Sequence, residues 1–128
     1  MPSYSGNLTS RLGEIYPAPY VTVRLSWRGQ SRDLPGLLDS GADQTVIPKV
    51  TAQALALQKI SEVIVEDANG GARAQDVFVT DMEFHGFAVR ALPVAATDYP
   101  VILIGRDVLN DLVTELNGPG QTLTLTGP

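Results

Sequence analysis

The chain has 128 residues, 44% hydrophobic and 18% charged, with a formal net charge of −5, enough for one domain that buries roughly two-thirds of its unfolded surface. That composition excludes intrinsic disorder, and nine scattered basic residues exclude the clustered Lys and Arg that a nucleic-acid or anionic-membrane surface requires. With no cysteine, disulfides, thiolate metal sites and a cysteine nucleophile are excluded as well.

The first fourteen residues are polar and rich in Gly, Ser and Thr, and are expected to form a flexible arm or one ordered only against a partner, with the domain proper spanning 15–128. Nothing at the N-terminus has the apolar core of a signal peptide, and no run approaches the ~20 apolar residues of a membrane helix. A soluble, cytoplasmic protein without membrane or nucleic-acid partners is expected. "YVTVRLSW" (Tyr20 to Trp27) alternates, with Val21, Val23, Leu25 and Trp27 on one face, which predicts a half-buried strand. "RGQ" turns the chain, and "RDLPGLLD" returns as a strand in which Pro35 and Gly36 imply an irregular or bulged segment.

"TVIP" predicts a short strand and "PKVTAQALAL" a short helix opening at Pro48. "ISEVIVED", "ARAQDVFVTDMEF" and "FAVRALPVAA" follow as extended runs separated by "ANGG" and by His85-Gly86, giving two hairpins. Val101 to Ile104 predicts a buried strand, and beyond Gly105 a short helix puts Val108, Leu109 and Leu112 on one face. The tail "VTEL…NGPG…QTLTLT" reads as a hairpin. The sum is a small, mostly β domain with one or two short helices.

Two segments carry candidate chemistry. Asp39-Ser40-Gly41 sits between "LL" and "TVIP"; by itself it fits an Asx-type turn in which Asp39 bonds its own backbone. Ile104-Gly105-Arg106-Asp107 ends an apolar strand and enters a helix, a common arrangement in which Gly105 simply permits close packing. Together, one strand ending in Asp-Ser-Gly-Ala, a Gly-rich hairpin, and a second strand ending in Ile-Gly-Arg-Asp form an order that resembles the retroviral-type, or retropepsin-like, aspartic proteases, single-lobe relatives of pepsin.

The resemblance covers about Tyr20 to Leu125 and implies an all-β fold, a closed or partly open barrel. It implies Asp39 as the catalytic acid, with Ser40, Gly41 and Ala42 as the rest of the active-site loop. It further implies that Ile104 and Gly105 pack beside that loop, and that Arg106 forms a bracing ion pair with Asp43. A substrate-covering flap would run from Ile64 to about Val77, its tip at Asp67, Ala68, Asn69, Gly70 and Gly71.

Water-driven amide hydrolysis needs a base and an acid, roles that two carboxyls sharing a proton fill together. The chain holds a single Asp-Ser/Thr-Gly, so the second carboxyl is expected from Asp39 of another copy on the two-fold axis of a homodimer. Like charges about 3 Å apart cannot both ionise, so acidic to mildly acidic conditions should favour activity. The substrate would be an extended polypeptide; no cofactor or metal is called for. The acidic flap and the absence of an evident N-terminal dimer strand depart from the family pattern, leaving "QTLTLT" as a possible dimer strand. They also leave room for a weakly catalytic peptide-binding or assembly module, or a self-processing domain of a longer polyprotein. His85, the single histidine, lies in a turn with no nucleophile-elbow motif to serve.

Overall fold

The computed structural model describes residues 2–66 and 69–127. In chain order the elements are β1 (Ser3–Asn7), β2 (Tyr20–Trp27), β3 (Gln30–Leu38), β4 (Val46–Pro48), α1 (Lys49–Ala54), β5 (Gln58–Glu66), β6 (Ala72–Phe84), β7 (Phe87–Thr97), β8 (Ile102–Ile104), α2 (Arg106–Leu109), β9 (Val113–Asn117) and β10 (Thr122–Thr126).

The alternation in β2 sets the inside of the domain: Val21, Val23 and Leu25 are buried while Thr22 and Arg24 are exposed. Hydrogen bonding runs β2-β3-β8-β4-β7-β6, and β6 pairs back onto β2 through Arg24↔Glu83, Leu25↔Met82 and Ser26↔Asp81. Six strands thereby close into a barrel, which leaves no free edge among them. β5 lies outside the closure, paired with β6 alone. The barrel is filled by Val23, Leu25, Ile47, Met82, Phe84, Val94, Ile102 and Ile104, each no more than 2% exposed.

The β2–β3 hairpin turns at Arg28 and Gly29, both at positive φ (50° and 83°), and its register is continuous from Tyr20↔Leu37 to Trp27↔Gln30. The bulge expected at Pro35-Gly36 is therefore absent. Gly36 serves packing instead, since a Cβ there would lie 2.6 Å from Val23 Cγ2. Irregular registers occur between Lys59 and Ser61 and between Thr80 and Met82, where long strands must bend. His85 and Gly86, at φ 49° and 86°, make the expected tight turn between β6 and β7.

Within the N-terminal arm expected over 1–14, Ser3–Asn7 form a strand. β1 pairs antiparallel with β10 from Ser3↔Thr126 to Asn7↔Thr122, and β10 pairs with β9. Tyr4 stacks on His85 with ring centroids 3.5 Å apart, and Leu8 packs against the core. These apolar anchors, invisible in a polar-looking composition, offset the cost of ordering the segment. As β10 is the central strand of this sheet, both its edges are used within the chain, and it offers no edge for a dimer strand.

Candidate active site

The arrangement of the site follows from one parallel pairing. β3 and β8 run side by side in the register Leu38↔Ile104, so the two chain segments that leave them, Asp39 onward and Gly105 onward, emerge next to one another. Asp39 N–H donates to Ile104 O at 2.9 Å, and Arg106 N–H donates to Ala42 O at 2.8 Å. The turn Asp39 to Ala42 is closed by Ala42 N–H donating to Asp39 O at 3.2 Å.

Asp39 is half-buried, whereas Ser40 and Gly41 are exposed. Its Oδ1 accepts the Gly41 N–H at 2.9 Å, the Asx-turn bond that its local sequence predicted. A Cβ on Gly41 would stand 3.1 Å from that same oxygen, so glycine allows the close approach. Among the described residues Oδ2 has no hydrogen-bond partner and is free to meet a water or a second carboxyl.

Gly105 is buried, and a Cβ there would lie 2.7 Å from Gln44 C and 3.0 Å from Ala42 O. Ile104 is buried beneath it. Gly105 thus lies against the backbone of the loop, and Ile104 O takes the Asp39 N–H. Arg106 does not form the expected ion pair with Asp43: no ion pair joins them within 4.0 Å among the described residues. Its Nη1 donates instead to Ser40 O at 2.7 Å. With its backbone N–H tied to Ala42 O, Arg106 holds two carbonyls of the loop, while Asp43 is exposed and lines a cavity.

A second pair, overlooked in the sequence, ties the loop down. Thr45, fully buried, donates its Oγ1–H to Asp107 Oδ1 at 2.7 Å and accepts the Gly105 N–H at 3.1 Å, and its own N–H donates to Asp107 Oδ2 at 3.0 Å. The carboxylate of Asp107 thus takes two bonds from one residue of the first segment. The only signal in the sequence was a threonine six positions after Asp39 and an acid two after Gly105, too little without the register that joins them.

The cavity, about 780 Å³, lies between Ala42, Asp43, Gln44, Val46, Ala95 and Leu103 on one side and Val63 to Glu66, Arg73 and Gln75 of the β5–β6 hairpin on the other. Asp39 stands outside its lining. Asn69 and Gly70 lie in the connecting turn and Gly71 follows it, all exposed; the expected tip residues Asp67 and Ala68 lie outside the described residues. Among the described residues no group of His, Asp or Glu could hold a metal ion, and no helix is long and apolar enough to cross a membrane.

A family described as "gag-polyprotein putative aspartyl protease" matches residues 28–111, a span that contains both segments of the site. The chain belongs to this aspartyl protease family. Its fold is similar to that of a retropepsin-like aspartic protease from Rickettsia conorii, with 13% identity and a TM-score of 0.62 over 98% of this chain and 93% of that one. The retroviral protease-like domain of Ddi1 from Leishmania major is similar at 17% identity and a TM-score of 0.57, over 90% of this chain and 96% of that one. A foamy viral protease-reverse transcriptase, solved with an RNA/DNA hybrid, matches at 19% identity and a TM-score of 0.56 over 73% of this chain. The chain spans only 12% of the length of that viral protein. No curated protein sequence matches the chain.

Proposed function

We propose that the chain is one half of an aspartic endopeptidase that hydrolyses an extended polypeptide between the Asp39 carboxyls of two copies. The observation that carries this reading is the presentation of Asp39: its backbone is tied to Ile104 O, its Oδ1 to Gly41 N–H, and its loop is exposed. A fixed carboxyl on an accessible loop is what a second copy must meet if one acid is to become two.

In the dimer, one Asp39 takes a proton from the attacking water while the other, protonated, donates to the carbonyl oxygen of the scissile amide. The two oxygens nearest the axis share the proton that like charges so close cannot both release. Ser40 Oγ reaches the partner loop and keeps the two carboxyls coplanar. Gly41 leaves room for substrate backbone. Arg106 and the Thr45–Asp107 pair hold the loop so that little rearrangement accompanies the reaction. The β5–β6 hairpin, with Asn69, Gly70 and Gly71 near its end, covers the peptide as a flap, and the cavity walls Val46, Val63, Val65 and Leu103 receive an apolar side chain.

The test is a mixed peptide library incubated between mildly acidic and neutral pH with wild type and Asp39→Asn, with and without a statine-type inhibitor. Cleavage by wild type alone, blocked by the inhibitor, is the expected outcome. Equal cleavage by both proteins, or none by either, refutes the protease reading; peptide bound without cleavage points to the assembly-module alternative.

A further inference from the structure

Residues 10–17 form a loop between β1 and β2 whose neck is closed by Thr9 N–H donating to Ala18 O at 3.0 Å and Ala18 N–H donating to Thr9 O at 2.8 Å. Inside it, Glu14 accepts the Arg11 N–H at 2.7 Å through Oε1 and the Tyr20 hydroxyl at 2.8 Å through Oε2. The Arg11 guanidinium lies over the Tyr20 ring, 5.8 Å from its centroid. The loop is thus tied to the barrel by its polar residues. Its large apolar residues do the opposite: Leu12, Ile15 and Tyr16 are 106%, 84% and 81% exposed. Three such side chains within five residues, on a loop held in shape by its own bonds, are a patch that a soluble surface seldom leaves uncovered.

The position of the neck says what covers it. Pro19 O accepts the Leu38 N–H at 3.0 Å, so the base of the loop lies beside the residue that precedes Asp39. An eight-residue loop folded on itself reaches at most about 13 Å from its base. The base of the loop and the Asp39 loop therefore share one end of the barrel, the end that a second copy bringing up its own Asp39 must face. β10 is already paired on both edges, so in its sheet only β1 and β9 keep an outer edge. Resting on the two-chain site argued above, we propose that the loop 10–17 is the principal docking element between copies of this chain, with Leu12, Ile15 and Tyr16 burying themselves on the partner beside its active-site loop.

The experiment measures self-association by sedimentation velocity and peptide cleavage on the same samples, for wild type, Leu12→Asp/Ile15→Asp, and Val50→Asp. Val50 is the control, a residue 72% exposed on α1. The double variant should keep its melting behaviour, weaken the dimer at least about tenfold, and lose cleavage when dilute but regain it when concentrated; Val50→Asp should match wild type. If the double variant melts early, Tyr16→Ser provides the same comparison with a smaller change. A double variant that associates like wild type overturns the inference and leaves the protease reading standing. A dimer that the variant weakens but that never cleaves supports the docking role while refuting the protease. A wild type that is monomeric overturns the docking role, and refutes the two-chain site if it still cleaves. Vesicles of phosphatidylcholine that bind wild type but not the variant, with association unchanged, would assign the loop to a lipid surface and overturn the inference as well.

Discussion

Thr45 Oγ1 and Asp107 Oδ1 lie 2.7 Å apart, joining the end of the Asp39 loop, just before β4, to the helix after Gly105. The same Thr45 oxygen accepts the Gly105 N–H, so one buried hydroxyl links three parts of the site. A hydroxyl can donate once and accept twice, and here it does one of each with no water needed.

Thr45→Val keeps the shape of the side chain and removes both bonds, leaving the buried Gly105 N–H unsatisfied. A loss of about 2–3 kcal/mol in unfolding free energy is expected, measured by urea denaturation, with cleavage reduced further because the Asp39 loop loosens. Thr45→Ser should recover most of both, and a Val variant as stable as wild type would contradict this account.

Gly105→Ala tests packing rather than hydrogen bonding. Gly105 has φ −89°, a conformation open to alanine, so only the close approach of Gln44 and Ala42 backbone opposes the methyl group. Backbone cannot turn aside as a side chain can, and a cost of about 1–3 kcal/mol is expected. Because the strain falls between the two segments, proteolysis should fall by more than stability predicts.

Tyr20 makes the loop at 10–17 sensitive to alkali. Burial first, then its hydrogen bond and proximity to the Glu14 carboxylate, push its ionisation up to about 12. The raised value means that the folded state holds the proton more tightly than the unfolded chain, whose tyrosines ionise near 10. The associated stability is complete below about pH 10 and is lost as pH rises toward 12. Ultraviolet titration should show a tyrosinate transition near that upper value. It should vanish in Tyr20→Phe and move down in Glu14→Gln; a Glu14→Gln curve identical to wild type would rule out the carboxylate as a contributor.

From Tyr20 onward the element order, the half-buried strand Tyr20–Trp27 and the hairpins were legible because a strand writes its inside and outside as alternation, and because Gly and Asn mark turns. The Asp39 loop and Gly105 were legible for a related reason. Small residues flanked by apolar strands mean a sharp backbone approach wherever they occur. Those features are local, and local physics determines them. The choice of partner for a charged side chain is not local. Arg106 bonds Ser40 O rather than Asp43, and Asp107 serves Thr45, because β3 and β8 lie parallel in the register Leu38↔Ile104, and a different register would have offered other oxygens. The N-terminal segment shows the same limit. Its polar composition reads as a free arm until Tyr4 finds His85 and β10 supplies a strand. What this sequence settled by itself is which residues the chain must hold sharply bent; the tertiary structure alone decided what those bends are held against.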